Sequence, residues 1–130
     1  MKLGVRPDTY DCFGEKKYQK MKEHGFSCAA YVMVNTDQPI YRCTEKELIK
    51  ALRQEKKLAE EAGIEITQLH GPFRMPPKDL DEADRQERME KMIRSIRAAA
   101  LLGCKYWVIH PLLPYGIADK EAKKEEGTLK

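Results

Sequence analysis

The chain has 130 residues, with 24 Lys and Arg against 21 Asp and Glu for a formal charge of +3, and 42% hydrophobic beside 35% charged residues. One domain of this size buries roughly 65–70% of its unfolded surface, so a packed core is expected. The charge is small and its signs interleave ("EKKYQKMKEH", "RQERMEKMIRSIR"), which argues against a nucleic-acid-binding stripe.

In chain order, the first expected strand is 2–6. A helix with Phe13, Lys17, Met21 and His24 along one face follows and stops at Gly25. Residues 27–35 form the second expected strand. Thr44 followed by Glu47 is the pattern of a capping box, opening a helix whose inner stripe is Leu48, Leu52, Ala59 and Ala62 and whose end is Gly63. Residues 64–70, "IEITQLH", form the third strand. A charged helix carries Met89, Met92, Ile93, Ile96 and Ala100 at helical steps, with Arg88, Glu90, Arg94 and Arg97 largely on the other face, and ends at Gly103 before a fourth strand at 106–110. The remainder, 116–130, is a charged tail.

Gly25, Gly63 and Gly103 stand 38 and 40 residues apart, each between a helical end and an apolar run. This β-α-β-α-β-α-β order predicts a parallel sheet with right-handed crossovers, either doubly wound or an arc of a (β/α) barrel. No G-x-G-x-x-G follows the first strand, where "GVRPDTYDCFGE" stands instead, and the units are similar in length. The arc is therefore the expectation, with 1–115 as its extent. Cys12, Cys28, Cys43 and Cys104 contain no C-x-x-C pair and are expected as free thiols, Cys28 and Cys104 buried near strand starts. No apolar run reaches the roughly 18 residues of a membrane span, and "MKLGVRPD" carries no signal-peptide apolar region, so a cytoplasmic protein without membrane partners is expected.

The third and fourth strands both end on histidine, His70 and His110, each seven residues after its glycine. Functional groups of β/α folds gather at the carboxyl edge of the strands, and neighbouring strands lie roughly 5 Å apart. Two imidazoles there suit a shared divalent cation, zinc or manganese; the competing reading is two rings paired structurally. Arg6 and Asn35, after the first and second strands, are candidates to hold an anion and a substrate hydroxyl, although both types are also common in turns. His24, before a helix-ending glycine, is expected as a capping or surface residue.

The stretches "EAGIEITQLHGPF" and "AAALLGCKYWVIHP" resemble the third and fourth strands of the xylose-isomerase-like barrel superfamily, which includes sugar-phosphate isomerases, ketose epimerases and abasic-site endonucleases. That resemblance implies a divalent-metal site at the top of a (β/α)8 barrel. It also implies proton transfer next to a carbonyl, with a sugar or sugar phosphate as substrate. In the endonuclease branch the histidines matching His70 and His110 hold zinc; in the isomerase branch they more often line the substrate pocket. The later strands of the family, which bring most ligands and the catalytic carboxylates, have no counterpart among these four, so no catalytic residue is assigned. Four strands leave two unpaired edges, and a homodimer closing the barrel is the expected remedy. A non-catalytic dimeric half-barrel is the alternative. A zinc endonuclease ranks lower, because the rim stretches "GPFRMPPKDLDE" and "PLLPYGIADKE" mix acids with bases.

Overall fold

The computed structural model describes residues 1–111; the charged tail expected at 116–130 and the last residues of the expected half-barrel lie outside them. Four strands, β1 (Gly4–Val5), β2 (Cys28–Val32), β3 (Glu65–His70) and β4 (Tyr106–Val108), pair in the order β1-β2-β3-β4 and are parallel throughout. Three helices, α1 (Lys17–Glu23), α2 (Glu45–Glu61) and α3 (Glu82–Leu102), alternate with them. All three contribute to one core with the strands, including Met21, Leu48, Leu52, Leu69 and Leu102. Helices on a single face distinguish an arc of a barrel from a doubly wound sheet, which carries helices on both. Among the described residues the sheet is open rather than closed.

Helix α2 follows its sequence closely. Thr44 Oγ1 accepts the Glu47 backbone N–H at 3.3 Å, and the Glu47 carboxylate accepts that of Thr44 at 2.8 Å, so two N-terminal donors are satisfied reciprocally. Leu48, Leu52 and Ala59 are buried as expected, and Ala62 is half-buried at the C-terminus. Gly25, Gly63 and Gly103 adopt φ of 89°, 68° and 77°, the left-handed conformation that ends each helix and releases the chain into the next strand.

The first helix differs from expectation. Pro7–Lys16 forms 3-10 turns kinked at Gly14, and α-helix begins only at Lys17. Phe13 is exposed; Met21 and Tyr18 fill the core, with the Tyr18 hydroxyl donating to Glu55 at 2.7 Å. His24 caps α1 from the surface, its Nδ1 2.8 Å from the Tyr10 hydroxyl.

Helix α3 is turned from its expected face. Met92, Ser95, Ala98, Ala99 and Leu102 are buried, whereas Met89, Ile93, Ile96 and Ala100 are exposed. The cause is tertiary. Trp107 of β4 donates its indole N–H to Ser95 Oγ at 2.9 Å, which turns the face with Ser95 towards the sheet. Arg94 then reaches towards α2, donating to the carbonyls of Ile40 (2.7 Å) and Cys43 (2.5 Å), while Arg88 turns inward to a buried carboxylate.

The strands are shorter than their apolar runs. β1 is an edge strand with β2 as its neighbour, and Pro7 has no N–H to continue the ladder. β2 pairs regularly only to Val32, after which the Met33 N–H reaches the His70 carbonyl at 2.9 Å and Asn35 forms an isolated bridge to Phe73. Opposite Ala29 and Ala30, Thr67 is bulged out of register and donates its hydroxyl to the Ala29 carbonyl at 3.3 Å. All four cysteines are free; Cys28 and Cys104 are half-buried rather than buried, and burial pushes the Cys104 thiol up to about 11. Among the described residues, no helix is long and apolar enough to cross a membrane.

Candidate site at the carboxyl edge of the sheet

His70 is the last residue of β3, and its ladder partner is Val108. β4 ends there, so His110 lies two residues beyond the strand that was expected to contain it. The equal spacing of the histidines from their glycines therefore does not make them ladder partners, because barrel strands are staggered against their neighbours. Side chains two residues apart still share a face, and the His70 and His110 rings meet with centroids 5.9 Å apart and planes inclined by 39°. The structure thus brings the pair together on the open face, one step of the pleat apart along the strand direction.

Two residues complete this cluster. Phe73, in the loop after β3, lies against His110 with centroids 4.7 Å apart. Gln68, two residues before His70 on the same face, places its amide nitrogen 3.4 Å from His70 Nε2. That long contact suits a neutral His70 whose Nε2 lone pair accepts the amide N–H. Partial burial, then the charge of His110, then that of Arg6, lower the His70 pKa below the usual histidine value, so the neutral form is favoured.

Arg6 follows β1 and is near enough to act electrostatically on His70, but its guanidinium is engaged with Asp8 in a two-pronged pair, 3.1 and 2.5 Å. Both partners are largely exposed, so the pair can exchange for another anion without leaving a buried charge. Asn35 is exposed, and its side-chain oxygen accepts the Asp37 N–H at 2.9 Å, which closes a local turn. Its backbone bridge to Phe73 ties the loop after β2 to the loop after β3.

Imidazole is suitable donor chemistry for zinc or manganese, yet catalytic zinc normally takes three protein ligands. Among the described residues no group of three or more His, Cys, Asp or Glu side chains is placed to hold a metal ion. The pair fits part of a coordination sphere and needs ligands from elsewhere.

The loop after β3 supplies features that periodicity did not reveal. Gly71 meets Trp107 so closely that a Cβ would lie 2.8 Å from the indole nitrogen. Further on, Asp79 is buried between Arg74 and Arg88. Gln68 was recoverable from its two-residue offset to His70. Phe73 and Asp79, in irregular structure, carry no local signal of their partners.

No curated protein and no solved structure matches the sequence. The model of one family, the xylose isomerase-like TIM barrels, matches residues 18–128. That span takes in β2, β3 and β4, helices α2 and α3 and the histidine-bearing carboxyl edge, and the chain belongs to this family.

Proposed function

We propose that this chain supplies half of a metal-dependent sugar isomerase or epimerase, with His70 and His110 as two ligands of a divalent cation, zinc or manganese. The single observation that carries the reading is the convergence of the two rings, 5.9 Å apart, at the edge where β/α folds place their chemistry. A bound cation would polarise the oxygens of a sugar or sugar phosphate. The chain's own contribution is to hold His70 neutral, since a protonated ring cannot ligate. Arg6 faces the phosphate by exchanging Asp8 for it, and Asn35 turns its amide to a sugar hydroxyl. The edges of β1 and β4, unpaired among the described residues, pair with those of a second copy, which completes the barrel and brings further ligands to the axis. A nucleic-acid substrate fits less well, because Arg74 and Arg88 on this rim are neutralised by Asp84 and Asp79.

Equilibrium dialysis of the purified chain against zinc and manganese, followed by elemental analysis, tests the metal. The expected result is near-stoichiometric cation in the wild type and loss of most of it in His70→Ala and His110→Ala. Retention of metal by both variants, or none in the wild type, refutes the reading. Sedimentation velocity tests the second copy, for which a monomer at all concentrations is the contrary result.

A further inference from the structure

His110 lies beyond the last paired residue of β4, so the strand ladder does not fix its ring. The ring against it is Phe73, held by a loop that is itself clamped by charge. The Asp79 side chain is almost wholly enclosed, with the residue 4% exposed. Arg88 of α3 grips it with both arms, Nε to Oδ1 at 2.7 Å and Nη2 to Oδ2 at 2.7 Å. Arg74 adds Nη2 to Asp79 Oδ1 at 3.3 Å and to the Lys78 carbonyl at 2.9 Å, and forms a two-pronged pair with Asp84 in the first turn of α3. Asp84 in turn accepts the Leu80 N–H at 2.7 Å. The loop is thereby fastened to α3 at both ends.

Arg74 directly follows Phe73, whose own N–H is held by the Val34 carbonyl at 3.0 Å. The backbone is thus held on one side and Arg74 on the other, and the Phe73 ring rests against His110. A small cavity of about 30 Å3 lies beside Thr36, Phe73, Arg74 and Arg88, and Met75 and Leu80 of the same loop are exposed, so the loop is held by its ion pairs rather than by apolar packing.

We propose that Asp79 is a positioning residue for His110, acting through Arg74, Arg88 and the Phe73 ring. Loss of the Asp79 charge leaves the Arg88 guanidinium largely enclosed without its carboxylate, while Arg74 keeps Asp84. Removing Asp79 therefore takes away the tie from the loop to Arg88 and leaves Arg74 with fewer partners, which loosens the seat of Phe73 and with it that of the imidazole. For metal binding the consequence rests on the function proposed above; the seating of the ring does not.

Imidazole signals of the metal-free 130-residue chain, recorded by proton–carbon NMR, read the contact directly, because an aromatic face displaces the resonances of a ring lying on it. Phe73→Leu moves the His110 signals towards their free-imidazole positions, and Asp79→Asn and Arg74→Gln are expected to move them the same way while His24 signals stay in place. Arg74→Gln leaves the Asp79–Arg88 pair intact, so it carries the test if Asp79→Asn does not fold. His110 signals unmoved in Phe73→Leu, or unmoved in every folded clamp variant, overturn the proposal. Zinc affinity is expected to fall by up to about tenfold in the clamp variants. Displaced signals with unchanged affinity leave the positioning role standing and count against the metal reading instead.

Discussion

Gly71→Ala isolates a single close contact in this fold. Gly71 is buried, and its N–H donates to the Val108 carbonyl at 2.9 Å, so the backbone there cannot retreat from β4. A Cβ would stand 2.8 Å from Trp107 Nε1 and 2.9 Å from both Cε2 and Cζ2. The residue is outside the left-handed region, so the added methyl strains no dihedral and the cost is steric. The indole cannot swing aside freely, because its N–H donates to Ser95 Oγ at 2.9 Å and Ser95 donates on to the Met92 carbonyl at 2.7 Å. Overpacking of this kind costs about 1–3 kcal/mol, and a lost indole hydrogen bond about 1 kcal/mol more. The sum, about 2–4 kcal/mol, is a large share of a stability of roughly 5–15 kcal/mol. Trp107 is the only tryptophan, so its fluorescence during urea unfolding reports both the midpoint and the displaced ring. A Gly71→Ala chain that unfolds at the wild-type midpoint with unchanged emission would refute this reasoning. In a Trp107→Leu background, followed by circular dichroism, the same substitution should cost less than about 1 kcal/mol, since the two effects share one contact.

Thr44→Ala removes the reciprocal cap of α2 and should lower stability by about 1 kcal/mol, measured as a shift in denaturation midpoint with unchanged slope. The His70 pKa lies below the usual 6.5, from burial, then from the His110 and Arg6 charges, so the unfolded chain takes up a proton before the folded one. Stability should therefore fall as pH drops through 6.5 and go on falling until the folded ring is itself protonated. Unfolding free energies measured across that range, compared with His70→Gln, test the sign; a variant with the same acid limb as the wild type contradicts it.

Much of this architecture could be read from residue order alone where the cause is local. The capping box of α2 requires only Thr44 and Glu47 three residues apart, and the positive-φ glycines mark helix ends because few other residues tolerate that conformation. The meeting of His70 and His110 was legible because side chains alternate along a strand, although their stagger was not, since register depends on how a neighbouring strand sits. The face of α3 was misjudged for a related reason. Met89, Ile93 and Ile96 form the more apolar stripe, yet the Trp107 indole donates to Ser95, and the face that carries Ser95, Ala98 and Ala99 is the buried one. The Asp79 clamp joins residues nine and five positions apart across a loop, a spacing that follows no helical or strand period.

The strand order β1-β2-β3-β4 repeats the chain order without exchange. Each strand consequently pairs with its predecessor, as a plank is laid against the last one, and no strand must be threaded between two others already in place. Injury should fade along such a row: a cavity cut near β1 loosens β2 more than it loosens β4.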